Sequence, residues 1–332
     1  MLRLILPGWR NLSVRVGMVP AAAGVVVYGI QKENRVVKKI LLGGLLLLAG
    51  SGVFATEGGG SAYPHGAEGF MAGALPPPGQ YFINYMLYYG ANDLYDGNGD
   101  AMPIEFDLNV FVEAMRFINV TDKKILGGNW TQHIFVPFMN MDVKTPGGHD
   151  DEYGIGDIIV NPFILGWHTP TWHIAAGVDT YLPVGKYDKT DIANLGRNYW
   201  TIEPALAATW LNEAGYEVSA KFMYDFNLEN NATDYDSGDE FHFDYALGKH
   251  FGLWTLGLGG FYYRQVTGDD GTVMTPGGPV DAGDNKGQQF AWGPMVSYQY
   301  KGMSFVLKYQ EEIETENRPE GGRVWFKFIT AL

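Results

Sequence analysis

The side chains best suited to chemistry in this sequence are charged and polar residues placed at every second position of otherwise apolar runs. Glu217, Lys221, Asp225 and Asn227 alternate with Tyr216, Val218, Ala220, Phe222, Tyr224 and Phe226, and His242 and Asp244 alternate with Phe241, Phe243 and Tyr245. Glu105, Asp107 and Asn109 interleave in the same way with Phe106, Leu108 and Val110. A period of two sends the two sets to opposite faces of a strand, so each run is expected to have one polar and one greasy face. Two kinds of loop carry ligand-like spacing. Asp96-Gly-Asn-Gly-Asp100 offers oxygens at alternate positions, like the start of a calcium loop. Ala101 stands where that loop needs glycine, however, and Asp107 where it needs a bidentate Glu. His149-Asp-Asp-Glu152 and Asp234-x-Asp236-x-x-Asp239-Glu240 are acidic clusters read as solvated loops, and no metal site is assigned to them. Nucleophilic catalysis would need a serine with a histidine in reach. Of Ser219, Ser237, Ser297 and Ser304, Ser237 alone has a histidine nearby, His242. No phosphate loop, dinucleotide fingerprint or zinc spacing occurs, so neither an enzyme nor a cofactor is expected.

The elements that position these residues are strands. The stretch from Asp239 to Gly268 reads as a hairpin: Phe241, Phe243, Tyr245 and Leu247 share one face of its first arm, and Trp254, Leu256, Leu258 and Tyr262 one face of its second. Around it twelve strand candidates fall at 80–89, 104–117, 129–141, 153–167, 172–181, 199–210, 215–227, 239–249, 253–266, 288–300, 303–312 and 323–332. From the fourth onward their connections alternate in length. Those at 168–171, 211–214, 250–252 and 301–302 are tight, and those at 182–198, 228–238, 267–287 and 313–322 are long. Short turns at one end, long loops at the other and an even strand count define an outer-membrane barrel. The fold expected is all-β, a transmembrane antiparallel barrel of about 12 strands, with 10 to 14 as its range. The connection at 118–128 is too long for this rule, and Pro137 and Pro162 disturb the alternation of the third and fourth strands. Trp167, Trp172, Trp210, Tyr216, Trp254 and Tyr300 beside tight turns, with Tyr89, Tyr181, Trp200, Tyr224 and Tyr262 toward long loops, would make two aromatic girdles.

Composition agrees with export. The chain has no cysteine and a net charge of -14, and beyond residue 55 it carries 16 basic and 36 acidic residues, a balance that excludes nucleic acid as a partner. Lys38 and Lys39, the apolar run 40–49 and the small residues Val53-x-Ala55 read as a secretory signal over 38–55. Residues 1–37 match nothing in such a signal and are expected to be an extension from a start called too early. Residues 56–79 are rich in Gly and Pro and form a tether or a hatch ahead of the barrel at 80–332. Phe70, Met71 and Leu75 favour a hatch in or under the periplasmic mouth, since a free tether has no use for them.

Several segments are recognisable together: Phe70-Met-Ala-Gly-Ala-Leu-Pro-Pro-Pro-Gly79, Gly156-Asp157, Asn194-Leu-Gly-Arg-Asn-Tyr-Trp200, Thr233-Asp-Tyr-Asp-Ser-Gly-Asp-Glu-Phe-His242 and Glu316-Asn-Arg-Pro-Glu-Gly321. Over nearly all of 63–332 the chain resembles the bacterial outer-membrane family named for the meta-pathway of phenol degradation, transporter-like barrels for hydrophobic compounds. The resemblance implies a passive channel for hydrophobic or aromatic small molecules, with membrane lipid and the barrel assembly machinery as its other partners. A structural or adhesive barrel without transport and a lipid hydrolase are the alternatives. The expected lumen residues are Glu105, Asp107, Asn109, Glu217, Lys221, Asp225, Asn227, His242 and Asp244. At the extracellular mouth Asn194, Arg197, Asn198, Ser237, Asp239, Glu240, Asn317, Arg318 and Glu320 are expected to meet, with the two arginines tying the loops together through the acids.

Overall fold

The computed structural model describes residues 55–275 and 278–332; the extension at 1–37 and all but the last residue of the expected signal lie outside them. Twelve antiparallel strands close into a barrel. They are β1 (Gly79–Leu94), β2 (Asp107–Ile125), β3 (Gly128–Thr145), a broken fourth strand made of β4 (Gly148–Ile155) and β5 (Ile158–His168), β6 (Trp172–Leu182), β7 (Thr201–Leu211), β8 (Tyr216–Asn227), β9 (Glu240–Phe251) and β10 (Trp254–Gln265). A small hairpin of β11 (Thr272–Thr275) and β12 (Gly278–Asp281) precedes β13 (Gln288–Tyr300), β14 (Met303–Glu316) and β15 (Pro319–Ala331). Each strand pairs with the next, and β1 pairs with both β2 and β15, so the sheet has no open edge within the wall. Closure is what lets a sheet cross lipid, because no backbone donor or acceptor is left facing hydrocarbon.

Side-chain alternation decides which face meets which medium. On β8, Phe222 and Phe226 stand outward and exposed while Glu217, Ser219, Met223 and Asp225 are buried inside. Leu256 and Leu258 on β10, Leu307 on β14 and Val324 on β15 continue the outward apolar belt. Trp172, Tyr216, Trp254 and Tyr300 flank it at the end with the tight turns, and Tyr88, Trp200 and Trp292 at the other. Two aromatics expected in the girdles turn inward instead: Tyr89 donates to Glu312 and Tyr181 to Glu203.

The strands are longer than the alternation shows. The connection expected at 118–128 is a tight turn at Leu126-Gly127, because β2 and β3 pair out to Ile125 and Gly128. The long loop expected at 313–322 is likewise a two-residue turn at Asn317-Arg318, with β14 and β15 rising into the extracellular space. Above the bilayer the outward face meets water, so the apolar pattern ends before the hydrogen bonding does.

The same extension inverts one assignment. Glu105, Asp107 and Asn109 do not line the lumen: Tyr89 opposes Val110 across the β1–β2 ladder, so the even residues of β2 point in. Glu105 lies ahead of the strand in an exposed pair with Lys144, and Asn109 takes a hydrogen bond from the exposed Tyr88 hydroxyl at 2.8 Å. Phe106 and Leu108 pack inward with Ala91, Leu94, Val143 and Ala193. Here the polar set faces water outside and the apolar set fills the interior.

The bilayer midplane should therefore pass near the middle of β8. Phe222→Arg is expected to cost roughly 2–4 kcal/mol and prevent assembly, whereas Phe226→Arg, near the extracellular interface, should cost about 0–1 kcal/mol. Folding into lipid vesicles, scored by the heat-modifiable gel band, checks this; equal assembly of the two variants would place the membrane elsewhere.

Candidate functional site

The candidate site is the lumen, and residues 56–79 lie in it from rim to rim. At the extracellular end the Ala55 amide donates to the Asn317 carbonyl, the Thr56 amide to Asp269 at 3.0 Å and the Glu57 amide to Ser237 Oγ at 3.1 Å. Asp269 is a hub, since it also accepts from Gly238, Gln265 and the Tyr235 hydroxyl. Burial and that carboxylate push the Tyr235 hydroxyl well above its usual range, which keeps it a donor. The Glu57 carboxylate accepts from Asn230 at 2.7 Å and Thr233 at 2.8 Å. This polar collar fixes the upper end of the segment.

Halfway down, the turn at Gly66–Glu68 is clamped from several sides of the wall. Asp244 on β9 accepts the Tyr63 hydroxyl at 2.6 Å and the amides of Gly66 and Glu68 at 2.8 Å each. Lys308 on β14 donates to the carbonyls of Gly66, Ala67 and Glu68. The Glu68 carboxylate meets Arg116 of β2 at 3.1 Å and Lys327 of β15 at 2.9 Å, and the His65 carbonyl accepts from Arg323 at 2.7 Å. Buried charges need such partners, and here the backbone of a non-regular segment supplies many of them.

The lower part is apolar and tightly fitted. Phe70 packs on Ala246, Met295 and Val306, the Met71 amide donates to Glu217 at 2.6 Å, and Leu75 sits against Ile164, Ala175 and Ala207. Gly73 passes so close to the His173 carbonyl and the Ala208 backbone that no side chain fits there. A cavity of about 130 Å³ remains on the periplasmic side, lined by Phe70, Met71, Met295, Val306 and Lys308 among others. The segment therefore extends much further up the barrel than a periplasmic hatch would.

The inner wall has two characters. Ile83, Tyr85 and Leu87 of β1, Ile118 and Val120 of β2, Ile159 of β5 and Trp325 of β15 form an apolar flank with Tyr63 and Ala67 of the segment. Strands β2 and β15 also carry Arg116, Arg323 and Lys327 inward, and opposite them run carboxylates, a histidine and a lysine: Asp179, Glu203, Glu217, Lys221, Asp225, His242 and Asp244, with Asn227 near the top bonded to Thr201 and the Gly238 carbonyl.

The mouth residues do not form the expected network. Among the described residues neither Arg197 nor Arg318 has a carboxylate within 4 Å. Each turns to the N-terminal segment: the Arg197 guanidinium covers Gly60, and Arg318 donates to Ser61 Oγ at 3.1 Å while stacking on Tyr263. Glu240 is inside the barrel, bonded to Ser61 and Tyr263. Asp239 accepts from Tyr224, Asn198 donates to Asn230, and Asn317 to the Lys286 carbonyl. Asn194 closes its own loop on Asp188 and Asp191, and Glu320 pairs across the β1–β15 ladder with Asp93. The loop between β6 and β7 is ordered by Asp157, which accepts the amides of Gly185 and Arg197 at the break between β4 and β5. Gly156, Gly185 and Gly196 meet there with no room for a Cβ. Asp157 binds backbone amides, Asp239 and Glu240 bind hydroxyls, and the arginines turn to the segment.

Sequence reasoning missed Tyr63, His65, Glu68, Arg116, Asp179, Glu203, Lys308, Arg323 and Lys327. The signal for most was present: a charged residue within a transmembrane strand defaults to the lumen. Tyr63, His65 and Glu68 had no periodicity to mark them.

Fold and site together define an outer-membrane β-barrel whose lumen holds its own N-terminal segment. Residues 91–328 match the family described as "Putative MetA-pathway of phenol degradation", and the chain belongs to it. Among solved structures, the COG4313 outer membrane channel from Pseudomonas putida F1 is similar in fold, with TM-score 0.68 and 15% identity over 79% of this chain and 98% of that one. The β domain of the Bordetella autotransporter BrkA gives TM-score 0.46 at 10% identity, covering 76% and 99% of the two chains. No curated protein matches in sequence.

Removing the central anchor should loosen the segment. Asp244→Ala strands the Tyr63 hydroxyl and the amides of Gly66 and Glu68, at a cost of about 2–4 kcal/mol, so displaced states should gain about 30- to 900-fold in population. Single-channel recording in planar bilayers is expected to show frequent large openings in Asp244→Ala that the unaltered barrel lacks. An identical trace would mean the segment is held by other contacts.

Proposed function

We propose that the chain is a passive outer-membrane channel for hydrophobic or aromatic small molecules, with residues 56–79 as its gate. The observation that carries this reading is the mixed lining of the lumen. Hydrogen bonds and ion pairs hold the segment at the 65–68 turn, to Asp244 and Lys308 and also to Arg116, Arg323 and Lys327, while Ile83, Leu87, Ile118, Val120 and Trp325 of β1, β2 and β15 offer an apolar patch on which Tyr63 and Ala67 pack. A hydrophobic solute can compete for the apolar patch, while water takes up the hydrogen bonds and charges that the segment releases. Family membership and the fold of the Pseudomonas putida channel support the reading.

A filled lumen would also suit a structural barrel without transport, but the filling here is not wall side chains. It is an N-terminal segment continuous with the wall at Gly79, with one 3-10 turn at Glu57–Gly59 and no strand of its own, and on the proposed reading it leaves as a unit. The hydrolase alternative lacks its pair, because Ser237 Oγ accepts the Glu57 amide and His242 faces Asp225. We read the protein as a non-enzyme, assembled into lipid by the cell's barrel machinery.

The test is uptake. Cells lacking other hydrophobic-compound channels should accumulate labelled phenol or toluene faster when they express this chain. In liposome swelling, a neutral sugar should permeate slowly through the intact barrel and at least tenfold faster once residues 57–75 are deleted. Aromatic accumulation no higher than in cells with empty vector would favour the structural reading. Sugar permeation unchanged by the deletion would remove the gate.

A further inference from the structure

One group of inward side chains has little to bond. Glu203 on β7, Asp225 on β8 and His242 on β9 converge behind the N-terminal segment, a ligand atom of each lying within 4.8 Å of the others. All three are fully buried. Strand register brings them together: Asp225 opposes Glu240 and Met223 opposes His242, so Asp225 and His242 are diagonal neighbours on the same inner face. Glu203 is oriented from outside the cluster, its Oε2 accepting the Tyr181 hydroxyl at 2.7 Å and its Oε1 facing Lys221 at 3.3 Å.

Asp225 and His242 have no such support. Nε2 of His242 lies 3.2 Å from Oδ2 of Asp225, but without hydrogen-bond geometry. Both oxygens of Asp225, both ring nitrogens of His242 and the neighbouring Glu240 Oε2 lack a hydrogen-bonding partner among the described residues. A single proton shared within the cluster would satisfy one pair and leave the rest. A cation takes a lone pair from one His242 nitrogen, from Asp225 and from Glu203 at once.

We propose that Glu203, Asp225 and His242 bind a first-row divalent metal ion of the zinc type, set between the barrel wall and the N-terminal segment. Imidazole with carboxylates suits such ions, whereas calcium and magnesium prefer oxygen alone. The 3.2 Å between His242 and Asp225 atoms fits two ligands each about 2.0–2.1 Å from a tetrahedral ion, which stand roughly 3.3 Å apart. Glu203 Oε2 is 4.0 Å from His242 Nε2, and the Tyr181 hydroxyl bonded to it plays the orienting part that outer partners play around metal sites. The segment closes the site: the Tyr63 ring stacks on His242 at 4.9 Å and His65 meets it edge-on at 4.8 Å. Metal occupancy and a seated segment therefore favour each other, by reciprocity of linked equilibria. The proposal rests on the lumen side chains alone and holds whether or not the barrel transports.

The experiment folds the full barrel in detergent with zinc or cobalt present, or with a chelator, then removes loose metal by gel filtration. Metal content is measured by mass spectrometry, and cobalt geometry by visible absorption. One retained ion per chain is expected, with the absorption bands of low-coordinate cobalt. Retention should fall at least tenfold in His242→Gln and in Asp225→Asn. It should be unchanged in the double variant His168→Gln/His173→Gln, which removes the exposed imidazole pair whose Nδ1 atoms lie 3.1 Å apart. Should His242→Gln not give the heat-modifiable band of a folded barrel, Glu203→Gln and the zinc-dependent rise in the unfolding temperature of the unaltered barrel take its place. Folded barrel without stoichiometric metal, full retention in the folded cluster variants, or loss in the double variant would each overturn the proposal.

Discussion

Charges placed inside a barrel must find partners, because the lumen is cut off from bulk water and an unpaired ion there is costly. Most other features of this molecule follow from that constraint. The inner wall carries Lys308, Lys327, Arg323 and Arg116 on one side and Asp244, Glu217 and Glu240 on the other, and most of them bond to the N-terminal segment rather than to one another. The segment's irregular backbone suits the task. Freed from helix or sheet bonding, its amides turn to carboxylates and its carbonyls to ammonium and guanidinium groups. Wall and segment are complementary in charge.

The barrel itself was legible in the sequence because its logic is local. Alternation in 215–227 and 239–268 marks strands whichever solvent they face, and the unequal connections choose the membrane. Legibility failed where the solvent changes along a strand. Asp107 and Asn109 alternate with Leu108 and Val110 as regularly as any lumen set, but that part of β2 stands above the bilayer, and the same pattern carries the opposite meaning there. No count of polar and apolar positions separates the two cases. The level of the strand in the membrane does.

The candidate site was half legible. Glu217, Lys221, Asp225, His242 and Asp244 follow from parity on strands whose midpoints lie in the bilayer, and parity on β6, β7, β14 and β15 would have added Asp179, Glu203, Lys308 and Lys327. What parity cannot supply is the segment's side of each contact. Arg197 and Arg318 sit in loops among acids, and proximity in sequence argued for pairing with them. Their actual partners, Gly60 and Ser61, lie more than a hundred residues away in a stretch whose composition signals only turns.

The mixed lining of the lumen sets how the segment can move. Each bond of the segment to Asp244, Lys308, Arg116, Arg323 or Lys327 is exchanged for a bond to water if the segment leaves, so the net cost per bond is small once water is admitted and large while it is excluded. Separation of Tyr63 and Ala67 from Ile83, Leu87 and Val120 exposes hydrocarbon, which water resists and a hydrophobic solute does not. Water alone thus opposes loss of the apolar contacts, whereas a greasy molecule in the lumen covers them and leaves water free to hydrate the charged groups. Such a solute binds the displaced state better than the seated one, and this difference in affinity is what a ligand needs to shift a two-state equilibrium. Small polar solutes have no comparable preference, so under the proposed gating, selectivity would follow from which contacts of the segment a solute can replace and would require no fixed binding pocket.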